Sequence, residues 1–401
     1  MRSFGCLLAI ALWTWTAPAT AQDLVARGRY LAILADCSGC HTPPNKPPFS
    51  GGVPFNARFG TVYSTNITPD RETGIGAWTA DDFYRALHEG VARGGKHLYP
   101  AFPYIYFQRI SRQDTDALFA YLHTLRPVYQ PPTPNKLIFP VHFRFGLIFW
   151  DWLYFHKKPP DIPANASAAW KRGEYLVNGP GHCAACHTPK TVLFGDKTDK
   201  PLAGGVVDNW YAANLTGSQI DGLGHWRHGD IVRFLANGRN KYATAAGSML
   251  EKVTSSTSHM AKTDLDAIAT YLKGQPPQDS PPFEAPRREQ MERGRGLYLA
   301  HCQKCHAADG RPTGESANYP SLAGDTLVMG HDATTVLRII LTGGKAPAVP
   351  GKEEVRPMPA FDRLDDGEIA DMASYIRNAW NNRAPPVSAT DVHSLRRALK
   401  N

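Results

Sequence analysis

The chain has 401 residues, with 44 lysines and arginines against 36 aspartates and glutamates (formal net charge +8), and it is rich in glycine (35) and proline (33). That length suits two to three domains. The basic balance favours an acidic partner or membrane surface only slightly. No nucleic-acid-binding module accompanies it, and beyond the first twenty residues no apolar run is long enough to span a bilayer, so nucleic-acid recognition and an integral membrane body are both excluded.

At the start, Arg2 precedes an apolar run from Leu7 to Trp15 and then Ala17-Pro18-Ala19-Thr20-Ala21. A basic n-region, an apolar stretch and a small-residue cleavage site together predict a signal peptide over 1–21, cut after Ala21. Export points to the periplasmic side of a bacterial inner membrane.

The remainder reads as one unit written three times, over 22–160, 161–280 and 281–401, the last with a C-terminal arm. Each unit opens with a short helix start: Arg27-Gly28-Arg29-Tyr30-Leu31, Arg172-Gly173-Glu174-Tyr175-Leu176, and Arg293-Gly294 continuing to Leu297-Tyr298-Leu299. Each closes with an amphipathic helix led by an aspartate: Asp114 to Leu122, Asp264 to Leu272, and Asp366 to Ile376. The first two units also share Asn66-Ile67-Thr68 and Asn214-Leu215-Thr216, followed by Gly74-Ile75-Gly76-Ala77-Trp78 and Gly222-Leu223-Gly224-His225-Trp226. Proline clusters mark the joins. With a CxxCH sequence, the attachment signature of haem c, standing in each unit, an all-α fold of three tandem class I cytochrome c domains with long loops is expected.

Between each opening and closing helix stands a CxxCH motif: Cys37-Ser38-Gly39-Cys40-His41, Cys183-Ala184-Ala185-Cys186-His187 and Cys302-Gln303-Lys304-Cys305-His306. These use six of the seven cysteines; the seventh, Cys6, lies in the signal. Two cysteines one helical turn apart suit thioether bonds to the haem vinyl groups, and the adjacent histidine suits the proximal iron position. Structural zinc needs about four ligands gathered together, whereas every pair here carries its own histidine and the pairs lie more than a hundred residues apart. Thiol exchange does not account for the histidine. Three covalent haems c are therefore expected, with His41, His187 and His306 as proximal ligands.

A thioether sulfur on the sixth position raises the potential relative to a second histidine. Met260, just before the Asp264 helix, is the candidate in the second unit, with Met249 as its competitor, and proline-flanked Met358 is the candidate in the third. No methionine occurs from residue 2 to residue 248. In the first unit Leu98-Tyr99-Pro100-Ala101-Phe102-Pro103-Tyr104 stands at the comparable place, and the sixth ligand is left open among His97, His88, His123, water or nothing.

Eight aromatic residues fall between 139 and 155. Interrupted by His142, Arg144 and Asp151, this stretch is not a transmembrane helix. Packing on the core, burial in a partner subunit and contact with the bilayer all remain open for it.

These motifs, with Leu98-Tyr99-Pro100-Ala101 and the final Ser374-Tyr375-Ile376-Arg377-Asn378-Ala379-Trp380, resemble the trihaem cytochrome c subunits of bacterial membrane-bound dehydrogenases. The resemblance covers nearly the whole mature chain. It implies a non-catalytic electron-transfer subunit that accepts electrons from a catalytic partner and reduces ubiquinone. Family partners are quinoprotein alcohol dehydrogenases, flavin-dependent polyol or gluconate dehydrogenases, and molybdopterin aldehyde oxidoreductases with an iron–sulfur subunit. The alcohol branch carries a methionine ligand where this chain has Phe102, and the Leu98–Tyr104 wording favours the molybdopterin aldehyde partner. A free electron shuttle and a haem enzyme working at an open first iron are the alternatives.

Overall fold

Three helix pairs organise the chain, each formed by an opening helix crossing a closing helix: Ala21–Leu34 with Arg112–His123, Ala168–Asn178 with Lys262–Lys273, and Arg288–His301 with Asp366–Asn378. The computed structural model describes residues 21–57, 59–157, 160–313, 318–345 and 356–400; the predicted signal peptide lies outside them except for Ala21. Helix starts follow local chemistry. The Ser111 and Ser167 hydroxyls accept from the Asp114 and Trp170 N–H groups, and Asp365 with Glu368 forms a capping box.

Each crossing is close because a glycine sits at it. A Cβ placed on Gly28, Gly173 or Gly294 would lie 1.9, 2.0 or 2.1 Å from the carbonyl oxygen of Ala117, Ala267 or Asp371, respectively. The repeated Arg-Gly of the three openings is thus a packing requirement.

The fold is not all-α. Among the described residues three antiparallel sheets stand between the helices. One has the order β1-β2-β5, from Pro54–Ala57, Gly60–Tyr63 and Lys136–Leu137; β3 (Val91–Ala92) pairs with β4 (Lys96–His97); β6 (Gly205–Val207) pairs with β7 (Trp210–Ala212). The β6–β7 hairpin turns on Asp208 and Asn209, both at positive φ (49° and 55°), the geometry whose twist matches that of the strands it joins. These segments carry valines and aromatics around turn residues, and that chemistry makes short strands of what sequence spacing suggested were plain loops.

One apolar core runs through the first two helix pairs, from Leu31, Leu34 and Leu118 to Leu176, Trp226 and Leu272. The third pair has its own, built on Tyr298, Ile369, Met372 and Ile376. The C-terminal helix Ala389–Lys400 closes that second core with buried Val392 and Leu395, and its Arg396 bonds Asp366.

The first two pairs are joined by a reciprocal exchange. Arg27 bonds Asp114, and Arg172 bonds Asp264 at 2.8–2.9 Å, each within its own pair. Tyr175 of the second pair donates to Asp114, while Tyr30 of the first donates to Asp264 at 2.9 Å. In the third opening helix Gly296 stands where those tyrosines would be.

The 139–155 stretch does not pack into the core. It includes the helix Phe145–Tyr154, of which only Leu147 is buried. Phe139, Phe145 and Trp152 are more than 70% exposed, and beside them, linked by Trp150 Nε1 to Leu193 O at 2.8 Å, projects a loop with Val192 93% exposed. Among the described residues no helix is long and apolar enough to cross a membrane.

Candidate haem-binding sites

Each CxxCH motif occupies a single helical turn at the end of an opening helix: Cys37–His41, Cys183 leading into Ala184–His187, and Cys302 leading into Gln303–His306. That turn sets both cysteines and the histidine on one short stretch of backbone. None of the six sulfurs is in a disulfide; Cys302 is buried and the other five are half-buried. Burial pushes the Cys37, Cys40 and Cys302 thiols up to about 12, and raises those of Cys183 and Cys186.

The histidines are held in one way at all three places. His41 Nδ1 lies 2.6 Å from Thr65 O, His187 Nδ1 lies 2.6 Å from Ala213 O, and His306 Nδ1 lies 2.9 Å from Pro320 O. A carbonyl only accepts, so the proton sits on Nδ1 and the lone pair is on Nε2. Burial lowers the pKa of each imidazole, favouring its neutral form. A neutral ring oriented by a backbone carbonyl, with Nε2 as the donor atom, is what a proximal iron ligand needs. The donor set fits haem c at all three motifs.

Hairpins supply the first two of those carbonyls. Thr65 follows β2 and Ala213 follows β7, and the N–H groups of Gly51 and Gly204, one residue or a few before the strands, return to His41 O and His187 O at 2.8 Å. The echoed Asn-x-Thr triplets brace the same loops. Asn66 Oδ1 accepts from Thr68 N–H at 2.9 Å while Nδ2 donates to Val128 O at 2.7 Å; Asn214 does the same with Thr216 and Gln278 O, at 2.9 and 2.8 Å. Both asparagines are buried, so their role is to tie the loop to the segment after the closing helix.

Met260 ends the short turn Thr257–His259 directly before the closing helix and is 9% exposed. Met249 packs on the same core as Met260 and also against Val253. Met358 is held by paired backbone hydrogen bonds with Gly344 (2.9 and 3.0 Å) and lies against the core of the third helix pair. Sequence reading passed over Met372: fully buried, its sulfur is 3.7 Å from Cys302 Sγ, so it packs directly on the third motif. Only its place on the apolar face of the closing helix signalled it.

The histidines of the first unit have neighbours of their own. His88 is buried, stacks on Tyr84 at 3.9 Å and reaches Thr115. His123 bonds Phe119 O within its own helix, and His97 faces Asp151 at 3.5 Å. Phe102 packs edge-on against Phe107.

Comparison with known proteins agrees with this geometry. The cytochrome c family pattern matches residues 291–380. The chain is 38% identical to the gluconate 2-dehydrogenase cytochrome c subunit of Pantoea cypripedii, over 98% of this chain and 95% of that one. It is 37% identical to the cytochrome c subunit of the quinone alcohol dehydrogenase of Gluconobacter oxydans, over 97% and 86%. The fructose dehydrogenase cytochrome subunit of Gluconobacter japonicus is 33% identical, over 94% and 84%.

Proposed function

The chain belongs to the family of dehydrogenase cytochrome c subunits, and from that premise we propose that it holds three haems c and serves a catalytic subunit that oxidises an alcohol, polyol or sugar acid. It is a non-catalytic electron-transfer subunit. Attachment runs through Cys37 and Cys40, Cys183 and Cys186, and Cys302 and Cys305, with His41, His187 and His306 as proximal ligands and Met260 and Met358 as distal ones. When bound, haem c supplies one-electron oxidation and reduction at its iron. The observation that carries this reading is the Nδ1–carbonyl bond repeated at all three histidines. Ubiquinone is the proposed acceptor, on the periplasmic side after export of the chain.

The relatives favour an alcohol, polyol or sugar-acid partner over the molybdopterin aldehyde enzyme that the Leu98–Tyr104 wording suggested. The complex purified from native membranes is expected to carry a flavin or a quinone cofactor and no molybdenum. One molybdenum per chain, with an iron–sulfur subunit alongside, would overturn this and restore the aldehyde reading.

The exposed aromatic face is the proposed peripheral contact with an anionic bilayer. Phe145, Ile148, Phe149 and Trp152 project beside the Val192–Phe194 loop, and exposed Lys136, Lys157, Lys197 and Lys200 flank the two segments in sequence. Replacing Phe145, Phe149 and Trp152 together by serine should weaken cosedimentation of the full-length holoprotein with phosphatidylglycerol-containing vesicles by about tenfold or more. Unchanged sedimentation would remove the bilayer role and leave the face to a partner subunit.

A further inference from the structure

The residues leading into the first CxxCH motif are gripped by the second unit. Lys252 Nζ donates to Leu34 O at 3.2 Å, and Ser256 Oγ donates to the same oxygen at 3.3 Å. His182, which immediately precedes Cys183, lies with Nε2 3.3 Å from Ala35 O. The helix Gly247–Ser255, which carries Lys252, packs on the turn Cys37–His41. Asp36 and His182, each directly before a motif, both take positive φ (54° and 40°). Lys252 therefore stands between the two motifs.

Its ammonium is placed toward both sides: it bonds the residue stretch that leads into Cys37, and the His182–Ala35 contact sets the residue preceding Cys183 against that same stretch. The carboxyls facing the same place are Asp36, which burial raises toward its neutral form, and Glu251, which is exposed to solvent. Among the described residues Lys252 bonds Leu34 O and makes no hydrogen bond to the third unit.

We infer that Lys252 is a shared cation that raises the reduction potentials of the haems at the first two motifs together, leaving the third unaffected. Reduction lowers the positive charge at the iron by one, so a nearby fixed cation favours the reduced form, and it does so more strongly in a half-buried joint than in water. Pairing the two sites through one charge keeps their potentials moving together. The inference rests on the three-haem reading above.

The test is a redox titration of the full-length holoprotein, followed by haem absorbance, for the parent, Lys252→Met, Lys252→Gln and Lys252→Arg. In the methionine and glutamine variants two of the three components should fall, each by about tenfold in the ratio of reduced to oxidised form at fixed potential, or about 59 mV for a one-electron couple. The glutamine retains a donor for Leu34 O, so a fall there separates charge from hydrogen bonding. Lys252→Arg should restore the parent values. Movement of one component alone, of none, or of all three equally would overturn the inference. Covalent haem is counted in the same samples by the pyridine haemochrome. A parent holding fewer than three haems would fault the haem reading itself, a failure distinct from that of Lys252.

Discussion

Replacing Cys183 and Cys186 together by alanine should lower the covalent haem content of the purified chain from three per polypeptide to two, measured by pyridine haemochrome and intact mass. The two sulfurs lie in the same short turn as His187, so removing both leaves the second site an oriented imidazole and no covalent anchor. The same double substitution at Cys302 and Cys305 should also leave two haems, but with a different structural consequence. The third helix pair has a core of its own, whereas the first two share one. Loss at the third motif should therefore spare the spectra and thermal unfolding of the first two units, and loss at the second should disturb the first as well. A content that stays at three in either variant would break the assignment of that motif.

What the sequence disclosed and what it hid divide along the range of the interactions. The opening and closing helices were legible because caps and apolar spacing act within a few residues: Ser111 with Asp114, and Asp365 with Glu368. The motif histidines were legible for the same reason, each adjacent to its cysteine. The hairpins were not, because strands of two to four residues are too short to show alternation. The one local signal was Asp208-Asn209 between two valines and Trp210-Tyr211, a turn-forming pair flanked by strand-forming residues. The carbonyls of Thr65 and Ala213 that orient His41 and His187 could not be found by sequence at all, since any residue supplies a carbonyl. Nor does composition decide whether eight aromatics face inward or outward; that depends on which neighbours the fold brings to the Phe145–Tyr154 helix.

The joint between the first two units shows how a repeated residue can carry two meanings. Tyr30 and Tyr175 stand at the same place in a recurring helix start. In the structure each also reaches across to the aspartate of the other unit, already held by that unit's own arginine. The substitution of Gly296 at the corresponding place was the visible sign that the third unit stands outside this exchange.

Gly173→Ala is expected to destabilise the shared core by about 3 kcal/mol or more, seen as a large fall in the thermal midpoint by circular dichroism. A Cβ there would lie 2.0 Å from Ala267 O and 2.7 Å from Tyr271 Cβ, one a backbone atom and the other fixed to the backbone, so no rotamer change relieves it. The helices would have to separate, and Leu176, Leu265 and Leu272 would lose their packing at the same crossing. Gly296→Ala is the matched control. It lies in a helix interior with nothing within 4 Å of the added carbon, so it should be neutral or stabilise the third unit by about 0.5–1 kcal/mol through helix propensity alone. The opposite signs expected for one added methyl group separate the two roles of glycine in these helices. A Gly173→Ala protein that melts with the parent would show that the crossing can open without cost, and the close packing of all three pairs would then no longer explain the repeated Arg-Gly.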